Sequence, residues 1–335
     1  MWRDAGGVSR PRLPPYRKRR RLFMTQGFSI GDALTDGFRL IGRKPLNVLA
    51  WGILLTLPIL LSVFLVVDMI AAIGVDAMAA QEPGPEAFAV MMRMQALSGL
   101  VNLLQLCGYV LIIAAICRAV LWPERTPGRI FDLRIGMDEA RVAVACVALM
   151  IGCYGVLFVI LLLAFAFGAA LWMVSEAAAV SLGVIVGLAG LVGVAWAALR
   201  ASMIIPASVG LKDFAFVDGW RLTKGRVAPL LGLAVTTLLL ALLVQILIMT
   251  IIAVVAFAIS IPFWPQLLAW AEGMEVGAAP QFNVGVVMAM SLALFPVIAA
   301  YYGAITVITT APWVSACRQM LDAKAGDETS AAALS

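Results

Sequence analysis

Residues 218–261 read DGWRLTKGRVAPLLGLAVTTLLLALLVQILIMTIIAVVAFAISI. The opening nine residues carry Asp218, Arg221, Lys224 and Arg226 around Trp220, and residues 227–261 carry no charge. A helix at the surface of a soluble domain alternates apolar and polar faces. An uncharged run of this length reads instead as a bilayer span, which needs roughly 20 apolar residues. Comparable runs fall at about 46–73, 96–122, 142–174, 178–207 and 282–314, with boundaries good to about 2–4 residues. The chain is 63% hydrophobic and 13% charged, against roughly half and a quarter in soluble domains. The expected fold is an all-α polytopic membrane protein with six transmembrane helices, residues 24–317 forming the membrane domain. Several runs exceed what a bilayer needs, so they must tilt or project into the interface. Trp51, Trp122, Trp172, Trp264, Trp270 and Trp313 lie near the run ends, where interfacial indoles anchor.

Charge sets the orientation. Residues 118–141 contain Arg118, Arg125, Arg129, Arg134 and Arg141, and residues 200–226 contain Arg200, Lys212, Arg221, Lys224 and Arg226. Arg39, Arg43 and Lys44 precede the first run. The alternate connections are poor in bases: 74–95 has Arg93, and 262–281 has Glu272 and Glu275. Lys/Arg excess marks the cytoplasmic side. A bacterial inner-membrane, multi-pass protein with both termini cytoplasmic is expected, residues 318–335 being a disordered cytoplasmic tail. Residues 1–23 hold seven Arg, one Lys and one Asp, leaving the other residues at −2 of the net +5. This leader lacks the apolar core of a signal peptide. It reads either as a disordered basic arm for anionic headgroups or nucleic acid, or as sequence upstream of a true start at Met24. Amphipathic order begins only after Met24, which favours the second reading.

The segment at Asp218 has a near-copy at Asp36, DGFRLIGRKPLN, again at the door of an apolar run. In residues 28–44 Ile30, Leu34, Phe38 and Ile41 recur at helical spacing, opposite Asp32, Asp36, Arg39 and Arg43. That pattern predicts an amphipathic helix lying in the interface. A weaker third copy, IFDLRIGMDEARV, precedes the third run. Asp-x-x-Arg thus occurs as Asp36/Arg39, Asp138/Arg141 and Asp218/Arg221, each three apart and able to pair on a helix. The second and fourth runs also end alike, CRAVLWP and LRASMIIP. The implied unit is an interfacial helix followed by a hairpin of two spans, repeated three times in parallel. Topology alone asks for bases before an outward span. Beyond that, Asp36, Arg39, Asp138, Arg141, Asp218, Trp220 and Arg221 are candidates for contact with lipid or a partner.

The interior of the runs offers little chemistry. There is no histidine, which removes the common metal ligand and near-neutral base. The five cysteines lie in or beside apolar runs without a C-x-x-C pair. Asp68, Arg118 and Arg200 sit toward run ends, within reach of headgroups by snorkelling. Candidate midplane polar groups are Asn102, Gln105 and Gln245, of the kind that glue helices together. Gly183 and Gly187 form GxxxG, continued by Ala189, Gly193, Ala197 and Ala201, a pattern for close helix approach. Pro58 and Pro296 fall inside the first and last runs and predict kinks. No phosphate-loop pattern is present. No metal, cofactor or nucleic-acid partner is expected.

Trp220, Leu222, Thr223, Gly225, Leu230, Gly232 and Leu233 match W-x-L-T-x-G-x-x-x-x-L-x-G-L. The stretch resembles one in bacterial six-span proteins, including the membrane domain preceding some glycerophosphoryl diester phosphodiesterases. It covers about a tenth of the chain, and the span layout agrees throughout. The diesterase domain of that family is soluble and histidine-dependent, and neither feature occurs here. The resemblance therefore implies a membrane bundle without that enzyme activity. The expected role is a non-enzymatic scaffold or modulator of membrane lipids or of a membrane or cytoplasmic partner protein. The alternative is a permease for a small or lipidic solute.

Overall fold

The computed structural model of the chain describes residues 28–79, 85–125, 133–172, 175–265, 268 and 284–332. Its α-helices are α1 (Ile30–Arg43), α2 (Pro45–Ala79), α3 (Pro85–Leu121), α4 (Met137–Trp172), α5 (Glu176–Ala201), α6 (Ile204–Leu211), α7 (Phe216–Leu222), α8 (Val227–Ser260) and α9 (Val284–Ala332). No strand occurs among the described residues. Six helical stretches are long and apolar enough to cross a membrane, the architecture of a multi-pass membrane protein.

α9 is the hub, packing against α1, α2, α3, α6 and α8. α2, α3 and α9 form the packed centre, and α4, α5 and α8 bury almost none of their apolar windows. Val159, Phe165, Val192, Leu243 and Ile246 are each more than half exposed. In water such faces would be an aggregation hazard. In hydrocarbon they are already solvated by lipid tails.

The centre is closed by two glycines. A Cβ on Gly52 of α2 would lie 1.8 Å from the Ala299 carbonyl oxygen of α9, and one on Gly303 of α9 would lie 2.1 Å from the Val48 carbonyl oxygen of α2. The two backbones touch where only glycine fits. The GxxxG of α5 behaves otherwise: added Cβ atoms on Gly183 and Gly187 meet nothing within 4 Å. Gly190 is the α5 glycine that faces a neighbour, Ile160 of α4, at 2.6 Å from a built Cβ.

Local chemistry explains the helix ends. Ser29 caps α1, its hydroxyl accepting from the Asp32 N–H at 3.3 Å. Asp32 in the first turn and Arg43 in the last complement the helix dipole. Pro45 opens α2, where its missing N–H costs nothing. The run expected at 178–207 falls in one candidate span, Glu176–Leu211, whose helix is interrupted at Ser202 and Met203. α5 stops at Ala201, and α6 begins at Ile204 with Pro206 in its first turn. A continuous helix would need a Pro206 N–H for the Ser202 carbonyl and would meet the proline ring there. α6 buries Ile204, Pro206, Ala207, Ser208 and Val209.

α6 ends on Lys212, which adopts the left-handed conformation at φ 56°. Its ammonium lies 5.7 Å from the centre of the Trp122 ring. A Cβ in that region costs about 1 kcal/mol. Lys212→Gly is therefore expected to be about 1 kcal/mol more stable than Lys212→Ala, since both lose the ring contact and only glycine relieves the backbone. Thermal unfolding of the two variants in one detergent measures the difference, and equal midpoints would refute it.

Several expectations need correction. Asp138 and Arg141 lie in the opening turns of α4, and residues 133–136 before them are not helical, so no separate interfacial helix precedes α4 there. The earlier part of that copy, 130–132, and the leader 1–23 lie outside the described residues, as does Trp270. Trp51 is fully buried in the core between helices instead of sitting at the interface. α9 continues through Ala332, where the sequence reading expects a disordered tail from 318. Pro58 and Pro296 lie inside α2 and α9, as the sequence places them in the first and last runs, and α9 also contains Pro312.

A charged layer at the basic end of the bundle

One end of the bundle gathers the basic residues. The C-terminal turn of α3 there meets the first turn of α4. Arg118 is 8% exposed, so it does not snorkel. Its guanidinium donates to the Glu139 carboxylate and lies 3.9 Å from Asp138 Oδ2. Asp138 in turn takes Arg141 at 2.9 Å and Arg134 at 3.8 Å. Glu139 Oε2 is buried with no hydrogen-bond partner among the described residues. Three arginines and two carboxylates thus lock α3 to α4, with the acids also favoured at the α4 N-terminus.

A second network ties α1 to α9. Asp36 Oδ2 accepts from the Ser315 hydroxyl at 2.6 Å and from Arg318 Nη2 at 3.3 Å. Its Oδ1 accepts from Arg39 Nη1 at 3.2 Å. Arg318 Nη1 also donates to the Val120 carbonyl at the end of α3, 2.6 Å away. Gln319 accepts from the Ser29 backbone N–H at 2.8 Å. Gly37, next to Asp36, is buried against α9 between Val307 and Ala311.

The third cluster joins α5 to α7. Arg200 Nη2 donates to the Trp220 carbonyl at 3.1 Å, and Nε donates to the Thr223 hydroxyl at 3.4 Å. The guanidinium carbon lies 4.5 Å from the centre of the Trp220 ring and 5.3 Å from that of Trp196. The two indoles meet edge to face with centroids 6.0 Å apart. Thr223 is buried and donates to the Trp220 carbonyl at 2.8 Å.

The Asp-x-x-Arg motifs therefore divide. Asp36/Arg39 and Asp138/Arg141 pair, and both aspartates turn inward to hold helices together. Asp218 and Arg221 are exposed on α7 and form no ion pair with each other. The midplane set does not assemble: Asn102 and Gln245 are exposed on α3 and α8, and Gln105 is half-buried, one turn from Tyr109 on its own helix. Glu139, Ser315, Arg318 and Trp196 escaped the sequence reading, and Thr223 entered it only as a motif match. Nothing in their spacing distinguishes them, because each acts across helices distant in sequence.

The quoted W-x-L-T-x-G motif reads as a turn. Gly225 sits at φ 75°, a conformation that favours glycine. Leu230 and Leu233 are fully buried, and Gly232 faces Ile30 of α1. Gly219, beside Trp220, lies so close to α6 that a Cβ would be 2.7 Å from the Ile204 Cα.

Elsewhere the surfaces are apolar. A groove of about 300 Å³ runs between α2 and α9, lined by Leu60, Val63, Leu294, Phe295 and Ile298 with Thr56 and Ser291. Thr56 spends its hydroxyl on the Gly52 carbonyl at 2.7 Å. All five cysteines are free thiols. Among the described residues no three His, Cys, Asp or Glu side chains converge as metal ligands. Comparison with protein-family models, curated proteins and solved structures returns no match.

Proposed function

We propose that this chain is a non-enzymatic protein of a bacterial inner membrane, both termini cytoplasmic, that scaffolds or modulates lipids or partner proteins through its basic end. The observation that carries the reading is the segregation of chemistry. Charged and hydrogen-bonding side chains collect where α1, α3, α4, α5, α7 and α9 meet, while the groove between α2 and α9 is apolar. Within this reading α1 and α7 are interfacial helices opening hairpins, related by the Asp-Gly-aromatic-Arg sequence at 36–39 and 218–221. The likeness to the diesterase-associated membrane domain belongs to the same proposal. Exposed Asp218 and Arg221 on α7, beside exposed Val217, are its outward-facing contacts.

Purification in a mild detergent, with lipids and proteins quantified, tests this. The native chain is expected to retain a reproducible lipid set or one stoichiometric protein. Arg221→Gln is expected to lower that retention about fivefold, the equivalent of the roughly 1 kcal/mol a surface cation contributes at an anionic membrane. Bulk lipid alone on the native chain, with no protein, would refute the proposal.

The groove between α2 and α9 favours a second reading, a permease for a lipidic solute. Both bordering helices carry a proline, Pro58 and Pro296. Vesicles containing the protein that move a fluorescent lipid analogue no faster than empty vesicles would count against it.

A further inference from the structure

The arginines of the basic end differ in one respect. Arg39, Arg118, Arg134, Arg141 and Arg318 each have a carboxylate within 4.0 Å. Arg200 has none among the described residues, although it is half-buried between two indoles. Its Nε and Nη2 are engaged by Thr223 and Trp220, and its Nη1 takes no part in those bonds. The guanidinium is thus held rigid with one donor nitrogen and a full positive charge left over.

We propose that Arg200, framed by Trp196 and Trp220, seats the phosphate of one anionic phospholipid in the leaflet at the basic end. The proposal rests on the lipid-directed reading above and names its site. Three observations point to a lipid. Trp196 is 47% exposed on α5, and Val192, one turn further into the span, is exposed too, offering a path for acyl chains. Phe214 and Val217 are exposed, so the segment from α6 to α7 presents apolar side chains among its cations. Residues 200–226 hold five cations against two acids, and none of Lys212, Arg221, Lys224 and Arg226 is ion-paired among the described residues. Guanidinium matches phosphate oxygens in geometry, and flanking rings exclude the water that would weaken the bond. The surplus of positive charge selects anionic over zwitterionic headgroups.

The test uses the full chain reconstituted in equimolar phosphatidylcholine and phosphatidylglycerol, extracted gently and weighed by native mass spectrometry. The native protein is expected to retain phosphatidylglycerol over phosphatidylcholine by about fivefold or more. Arg200→Gln should return the ratio to that of the vesicle. Arg200→Lys, which keeps charge and loses the fork, should fall between them. Because Arg200 also joins α5 to α7, Trp196→Leu gives a gentler variant that keeps both hydrogen bonds, and it too should lower the ratio. Enrichment that persists in all three variants overturns the site while leaving the general lipid reading standing. No enrichment on the native protein overturns both. Displacement of the retained lipid by inorganic phosphate alone would mark a phosphate site and overturn the lipid assignment.

Discussion

Gly303→Ala is expected to destabilise the protein by about 3 kcal/mol, the upper range for inserting a methyl group into a packed site. The new Cβ would stand 2.1 Å from the Val48 carbonyl oxygen, and no rotamer of α2 can move a backbone atom aside. Either α2 or α9 must shift, and both bury large core residues nearby, Trp51 and Leu55 on one and Val307 on the other. Gly52→Ala should be as severe, with its Cβ 1.8 Å from the Ala299 carbonyl oxygen. Gly187→Ala supplies the control: its Cβ meets nothing within 4 Å, and its effect should stay within about 0.5 kcal/mol. Thermal unfolding of the three variants in a single detergent checks the ordering. If Gly303→Ala unfolds with the native protein, the contact between α2 and α9 is not as described.

The second large effect is at Arg118. Glu139→Ala leaves a buried guanidinium whose remaining described carboxylate is Asp138 at 3.9 Å. Breaking a buried pair from one side costs about 3–5 kcal/mol, because a buried charge loses its closest described partner. Removing both partners, Arg118→Met with Glu139→Leu, should recover most of that loss, since well-packed apolar residues replace buried pairs at little cost. Asp138 keeps Arg141 and Arg134 in the double variant. A double-mutant cycle on unfolding free energy measures the coupling. A double variant no better than Glu139→Ala would show that the pair does not act as a unit.

Much of this architecture is written in local pattern. The six apolar runs are legible because a bilayer span must satisfy its backbone bonds internally and offer lipid an apolar surface, a demand that every residue of the run reports. The helix α1 is legible for the same kind of reason, through the spacing of Ile30, Leu34, Phe38 and Ile41, although the residues it buries are Ala33, Gly37 and Leu40. The site was legible only in part. Trp220 and the Asp-x-x-Arg motifs stood out, yet Asp36 and Asp138 proved to be internal acceptors. An aspartate on a helix looks the same in sequence whether it faces water, a headgroup or Ser315. GxxxG misled in a similar way. The pattern states that a face is smooth, whereas the glycines that pack, Gly52 and Gly303, sit singly in apolar runs.

The sequence by itself determined that this chain is helical, carries six stretches long and apolar enough to span a membrane, and concentrates its bases in alternate connections. Those properties follow from composition within each segment. Only the tertiary structure decided that α9 is the hub, that Arg118 is buried in ion pairs, and that Arg200 stands between two tryptophans with no carboxylate beside it among the described residues. These depend on which helices meet and at what rotation. In hydrocarbon that choice is made by small residues and a few polar contacts, such as Ser315 with Asp36, that sit hundreds of residues apart.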